Sequence, residues 1–208
     1  MKLCYNGKMI LSFVQTELAF DTIYAQGVWD EDGFSLANSS LSMNLIYVKM
    51  LQTFLIDNKI SSVVDIGCGD WQFSRHIDWR GIEYLGLDVV SGIVERNSHL
   101  YGSEYVRFTH ADALEVELPE ADLVICKDVF QHLPNANVKH LIQKFSKYKH
   151  CLITDYVGPP KPYILNSDIE IGSFRPIDLT KPPFSTEGKV ILTFPSIGMN
   201  KQVVYIQH

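Results

Sequence analysis

The segment VVDIGCGDWQ, residues 63–72, constrains this chain more than any other: an apolar run ends in Asp65 and passes without a spacer into Gly67-Cys68-Gly69. Glycines at 67 and 69 remove side chains where the backbone must turn sharply, and they let it come close to a bound molecule. An apolar strand feeding such a turn suits an α/β sheet, in which ligands bind beyond the carboxyl ends of the strands.

The rest of the chain repeats that plan. After residue 60, short β-rich runs alternate with helical or polar segments, as expected for a parallel sheet covered by helices. Strand candidates are Ser62–Ile66, Glu83–Asp88, Tyr105–His110, Ala121–Cys126 and Cys151–Asp155, followed by Lys189–Phe194 and Gln202–Ile206, which are close enough to pair. Upstream, Leu41–Asn58 carries Leu45, Val48, Leu51, Leu55 and Ile56 at helical period, with Ser39 or Ser40 as its N-cap. A length of 208 residues accommodates one α/β domain, with residues 1–40 as an extension and 41–208 as the core.

Two stretches break the alternation. Gln26–Ser40, rich in Gly, Asp, Asn and Ser around Trp29 and Phe34, reads either as a lid over a pocket or as plain N-terminal packing. Val157–Glu187 is proline-rich with little periodicity, and reads either as a functional loop or as a variable surface excursion.

Composition narrows the function classes. A net charge of -6 opposes a phosphate-tracking surface, so no nucleic-acid partner is expected, and Lys139, Lys144, Lys147 and Lys149 read as a solvated helix face. No apolar run approaches a bilayer span, and Gln15, Glu17 and Asp21 interrupt the N-terminal apolar stretch, so no membrane association and a cytoplasmic location are expected. Cys4, Cys68, Cys126 and Cys151 form no CxxC pair, and His76, His99, His140 and His150 lack ligand spacing; neither disulfides nor a metal site are expected. Nothing in the pattern specifies an oligomeric state.

The glycine turn alone suits several nucleotide cofactors. A dinucleotide site asks for a third glycine at position 72, which is Gln72, and Asp70 would repel a pyrophosphate. S-adenosylmethionine carries an ammonium, a carboxylate and a sulfonium, so Asp65 near the turn either favours that cation or merely braces the turn. The next strand ends in Asp88, the usual position for an acid that accepts the ribose diol. The third is followed by His110-Ala111-Asp112-Ala113-Leu114, where Asp112 either reads the exocyclic amine of adenine or caps a local turn.

DIGCG, GLD, ADA and DLVICKDVFQHLPN, in this order, resemble the successive motifs of class I S-adenosylmethionine-dependent methyltransferases over residues 60–155. With the later FRPIDLTKPPF, the chain also resembles a mostly uncharacterised bacterial methyltransferase-like group, which commonly has Arg at Lys127 and Trp at Phe174. The resemblance implies a Rossmann-like three-layer sandwich whose seven-stranded, mostly parallel sheet has the order 3-2-1-4-5-7-6. It implies a cofactor lying across Gly67, Gly69, Asp88 and Asp112, with Cys68, Asp70 and Trp71 following the turn and Val89 and Ala113 flanking the two acids. Lys127-Asp128-Val129, after the fourth strand, should line the methionine end.

Methyl transfer asks mainly for alignment and, for hydroxyl or amine acceptors, removal of a proton. His132 is the candidate base or, alternatively, a residue that fixes its loop; Asp128 and Asp155 compete for the role. Tyr156, Tyr163, Asn166, Asp168, Arg175 and Asp178 offer groups for a small polar acceptor, such as a sugar or glycoconjugate hydroxyl, with Arg175 and Asp178 also readable as a loop-stabilising ion pair. The rival readings are a catalytically silent nucleoside-binding or scaffolding protein and a nicotinamide-dependent oxidoreductase.

Overall fold

The computed structural model describes residues 14–24, 41–158, 164–196 and 198–208. Gln26–Ser40, with the caps at Ser39 and Ser40, and Tyr163 lie outside the described residues. Helix α1 is described over residues 14–24; α2 (Leu41–Asp57), α3 (Ser91–Tyr101) and α4 (Asn135–Phe145) follow. The strands are β1 (Ser62–Ile66), β2 (Glu83–Asp88), β3 (Val106–His110), β4 (Leu123–Lys127), β5 (His150–Tyr156), β6 (Lys189–Ser196) and β7 (Met199–Gln207).

They form one sheet of order β3-β2-β1-β4-β5-β7-β6. β1 to β5 run parallel, while β7 is antiparallel to both β5 and β6. This is the order the methyltransferase resemblance implies. The central strands β4 and β5 are buried along their whole length, as continuous apolar runs should be when helices cover both faces. On one face Val124, Cys126 and Ile153 pack with Val138, Leu141 and Phe145 of α4. On the other, Val63, Ile125 and Leu152 pack with Tyr47, Leu51 and Leu55 of α2, giving the three layers.

Strand limits shift for identifiable reasons. β4 begins after Asp122 because that carboxylate is spent on the start of β1, accepting from Ser61 N–H (2.8 Å), Ser61 Oγ (2.6 Å) and Ser62 N–H (3.0 Å). β6 continues through Pro195, which pairs with Asn200 at the open edge of the sheet, where a missing N–H is tolerated.

The long loop is neither a strand nor a helix over residues 164–188, yet it is not a surface excursion. Gly172 N–H donates to His132 O (2.9 Å), Arg175 N–H to Gln131 O (3.1 Å) and Ile177 N–H to Tyr156 O (2.7 Å), so the segment is laced to the turn after β4 and to the end of β5. The Arg175–Asp178 ion pair expected from sequence is not formed. The Arg175 guanidinium, 1% exposed, donates instead to the carbonyls of Ser167 (3.2 Å), Phe130 and Leu133 (2.9 Å) and to Asn135 Oδ1 (3.0 Å). Asp178 accepts from Thr180 N–H (2.9 Å) and Thr180 Oγ1 (2.6 Å). Four backbone or amide oxygens fan around a planar fork better than one carboxylate does.

The lysine group is also only partly solvated. Lys139 and Lys149 are exposed, but Lys144 Nζ donates to the carbonyls of Ala113 (2.6 Å), Leu114 (3.1 Å) and Val116 (2.7 Å), and Lys147 Nζ to that of Leu118, tying α4 and the residues after it to the β3–β4 connection. The carbonyls of that irregular connection have no ladder partners and take side-chain donors instead.

Candidate active site

The carboxyl ends of β1 to β4 open into one cavity, with roughly 660 Å³ of space including its mouth. Ile66 and Gly67 come from the end of β1, Leu87 to Val89 from β2, Ala111 to Leu114 from beyond β3, and Asp128 and Val129 from beyond β4. His132, Leu133 and Leu141 close one side, and Thr16, Phe20 and Tyr24 of α1 lie across another.

Gly67 sets the floor. Its φ of +67° belongs to the left-handed region, and a Cβ there would overlap Val129 Cγ2. No side chain fits. Gly67 N–H donates to Leu87 O (2.8 Å), which joins the turn to the end of β2.

Asp88, at the end of β2, accepts from Gly69 N–H on Oδ2 (2.9 Å) and from Val90 N–H on Oδ1 (3.0 Å). Each carboxylate oxygen keeps a further lone pair, so the group is oriented by the backbone and still able to accept a diol. Burial pushes its pKa up, and the backbone donors at Val90, Gly69 and Val89 pull it back. Asp112 is 3% exposed; its Oδ1 accepts from Leu114 N–H (2.9 Å), whereas Oδ2 has no hydrogen-bond partner. Burial raises this carboxyl too, against the pull of Leu114 N–H and the Thr16 hydroxyl.

Asp128 stands at φ +61°. Its Oδ2 receives Lys127 Nζ and Lys201 Nζ (2.6 Å), while Oδ1 is buried and without a partner. Burial pushes the Asp128 carboxyl up, but the two ammonium groups outweigh it and hold the pKa at about 2. Lys201, 0% exposed, is itself lowered to about 8 by burial and by Lys127, against the pull of Asp128. Two orphaned carboxylate oxygens, Asp112 Oδ2 and Asp128 Oδ1, therefore belong to residues at separate strand ends of the same cavity. A buried acceptor left without a donor is costly unless a ligand supplies one.

His132 is 3% exposed, and its ring is engaged at both nitrogens. Nδ1 lies 2.9 Å from Ser173 O, and a carbonyl only accepts, so Nδ1 carries the proton. Gln131 Oε1 accepts Tyr156 N–H (3.1 Å), which turns the Gln131 amide nitrogen toward His132 Nε2 at 3.2 Å. Burial lowers the imidazole to about 4, with Ser173 O and Asp128 acting in the opposite direction.

Of the residues singled out from sequence, Gly67, Asp88, Val89, Asp112, Ala113, Asp128, Val129 and His132 come together on the cavity wall. Asp65, Cys68, Gly69, Asp70, Trp71, Lys127 and Asp155 are not on that wall. Asp65 receives Tyr84 OH (2.6 Å), and burial raises it to about 7 despite Tyr84 and Lys127. Asp70 accepts from Gln72 N–H (3.3 Å) and Gln72 Nε2 (2.7 Å), so it shapes the turn. Trp71 packs with Tyr84, Tyr101 and Phe108 at centroid distances of 5.5, 5.1 and 5.3 Å. Cys68 is a buried free thiol whose pKa burial pushes up. Asp155 accepts from Gln131 N–H (3.1 Å), and burial raises its pKa well above the ordinary carboxylate range. Asn166, Asp168, Arg175 and Asp178 are spent on the loop and its anchors: Asn166 Nδ2 donates to Asp178 O (2.9 Å) and Pro182 O (2.8 Å), and Asp168 Oδ1 accepts from Asn135 N–H at the start of α4 (2.8 Å).

Sequence reading missed two groups. Thr16, Phe20 and Tyr24 recur every four residues, a stripe on one side of α1 that periodicity could have disclosed. Lys201 carries no motif; its only signal is a cation beside an apolar strand run.

Residues 63–148 match the family described as a methyltransferase domain. No curated protein matches the chain. The N-methyltransferase NodS from Bradyrhizobium japonicum WM9, solved in complex with S-adenosyl-L-homocysteine, is similar over 90% of this chain and 97% of its own, with a TM-score of 0.65 and 12% identity. The magnesium protoporphyrin IX methyltransferase ChlM from Synechocystis PCC 6803, solved with bound SAH, is similar over 77% of this chain and 81% of its own, with a TM-score of 0.56 and 14% identity. At these identities the likeness is one of fold. The family match over residues 63–148 and the sheet order agree with the methyltransferase fold that these structures share. The matched segment begins within β1 and ends after α4, just before β5.

Proposed function

We propose that the chain binds S-adenosylmethionine in the cavity above β1 to β4 and transfers its methyl group to a small polar acceptor. The observation that carries this reading is the pair of orphaned carboxylate oxygens, Asp112 Oδ2 and Asp128 Oδ1, on either side of the Gly67 turn and the Asp88 carboxylate. The donor has matching groups: an adenine amine for Asp112, a ribose diol for Asp88 and an ammonium for Asp128. When bound, it supplies an electrophilic methyl group on a sulfonium. The chain's own residues orient it: Gly67 allows close approach, Val129 packs against the turn, and Phe20 and Tyr24 exclude water from the cavity side they cover.

In this reading His132 is a neutral wall residue rather than the base, because its Nε2 lone pair already accepts from Gln131 and burial disfavours its protonation. Of the two competing carboxylates, Asp128 lines the cavity and serves the ammonium, whereas Asp155 lies off the wall and accepts from Gln131 N–H. Alignment then supplies most of the rate, and the acceptor is one whose nucleophile needs little help or brings its own base. Sugar hydroxyls belong in the acceptor screen, although Asn166, Asp168, Arg175 and Asp178, which suggested them, are engaged in holding the loop in place.

Calorimetry with S-adenosylmethionine, S-adenosylhomocysteine and NAD tests the reading. Binding of the first two without NAD is expected, and tight NAD binding with no response to the others would overturn it. Labelled methyl transfer into a panel of metabolites and glycans then separates an enzyme from a silent nucleoside-binding protein.

A further inference from the structure

Asp128 is not set by its sequence neighbours alone. Lys201 lies on β7 opposite Tyr156 of β5 in the antiparallel ladder, and its ammonium, 4.7 Å from the Tyr156 ring centroid, reaches Asp128 Oδ2 at 2.6 Å. Lys127 donates to the same oxygen from the end of β4. Asp128 N–H donates to Thr154 O (2.7 Å), which pins the residue in a left-handed conformation unfavourable for a side chain bearing a Cβ. With both cations on Oδ2, Oδ1 is left buried and without a partner on a residue of the cavity wall. Lys201 is itself 0% exposed, with Val203 next on its face of β7 also buried, so an ammonium at position 201 is kept against a desolvation cost that an apolar side chain would avoid.

We infer that Lys201 is a positioning residue for the methyl donor: by holding Asp128 Oδ2 it keeps that carboxylate ionised and oriented, so that Oδ1 receives the donor's ammonium. This rests on the reading of Asp128 as the ammonium acceptor. Lys201 sits outside the 63–148 methyltransferase match and touches the donor only through Asp128.

The groups that act on Asp128 come from every element around it. Lys127 and Cys126 are on β4, Lys201 on β7, Asp155 and Tyr156 on β5, His132 on the turn after β4, and Tyr47 on α2. Burial opposes ionisation of Asp128, and the two lysines overcome it; Asp128 in turn pushes the Asp155 carboxyl up. Removing one lysine leaves the burial in place, so the Asp128 carboxyl moves up toward working pH.

The test is calorimetric titration of the full chain with S-adenosylmethionine at pH 5, 6 and 7, where the donor's α-amino group stays protonated. Asp128→Asn is expected to weaken binding at least about tenfold at every pH, as loss of a charge-assisted acceptor does. Unchanged affinity in that variant would sink the ammonium reading, and this inference with it. Given that loss, Lys201→Met should bind near wild type at pH 7 and fall about tenfold relative to wild type by pH 5, because a buried carboxylate that protonates in this window loses its charge. Lys201→Arg should track wild type. In the Asp128→Asn background, Lys201→Met should add no pH dependence. A Lys201→Met variant that weakens binding equally at all three pH values, or that tracks wild type, overturns the inference while leaving the Asp128 reading intact. Should that variant not fold, Lys201→Gln, which retains a hydrogen-bond donor without the charge, carries the same expectation.

Discussion

The two ends of the cavity are built differently. At the nucleoside end, β1 to β3 deliver Gly67, Asp88 and Asp112 from short motifs, and backbone N–H groups of nearby residues orient both acids. At the reacting end, Asp128 is held by a lysine 73 positions away, and the turn carrying His132 is held by Arg175 and Ser173 from the irregular loop. Backbone-oriented groups tolerate change elsewhere in the chain; side-chain-oriented groups depend on distant elements staying in register.

The largest expected effect falls on the second kind. Arg175→Met removes four hydrogen bonds, taking the guanidinium donor from the buried Leu133 carbonyl and leaving the Phe130 carbonyl only Leu133 N–H, which should cost about 3 kcal/mol or more. Thermal unfolding should shift by roughly 10 °C. A change of a degree or two would erase the distinction between the two ends, since the loop would then be decoration.

Next comes the nucleoside end. Gly67→Ala forces a Cβ into Val129 at a positive φ, a conformation that costs about 1–2 kcal/mol before the overlap is counted. Donor affinity should fall at least about tenfold with the sheet still folded by circular dichroism. Wild-type affinity would mean that the turn does not approach the ligand. Asp88→Asn keeps the shape and loses the charge; a fall of roughly tenfold in donor affinity is expected, because hydrogen bonds to charged groups are worth about 1.5–3 kcal/mol.

How much could be read from sequence follows the same divide. Strand period and glycine punctuation disclosed seven strands, and Ser62–Ile66 and Glu83–Asp88 match to the residue, because a buried parallel strand is an uninterrupted local pattern. Gly67, Asp88 and Asp112 could be placed at the cavity from sequence for the same reason: each lies at or just beyond a strand end. Lys201 and Arg175 were not. Their partners are carbonyls and a carboxylate across the fold, and a loop's residues are polar whether they face a substrate or one another. The expected Arg175–Asp178 pair failed on this point, since sequence proximity said nothing about the Phe130 and Leu133 carbonyls waiting nearby.

An effect confined to acid pH sharpens the status of His132. Burial holds its folded pKa near 4, below the ordinary 6.5, so the unfolded chain takes up the proton first. Its contribution to stability is intact above pH 6.5 and is lost as pH falls toward 4, by up to about 3 kcal/mol. Urea unfolding at pH 7.5 and pH 4.5 should show a larger acid loss in wild type than in His132→Gln. Parallel losses would mean that His132 titrates as an accessible group, and the base role would return.

The central claim is that one ligand bridges the two ends, and a crystal structure of the protein with S-adenosylhomocysteine tests it most directly. The account predicts the adenine amine on Asp112 Oδ2, the ribose diol on Asp88 and the ammonium on Asp128 Oδ1. A ligand bound elsewhere, or one lying in the cavity with both of those orphaned oxygens still unpaired, would contradict it.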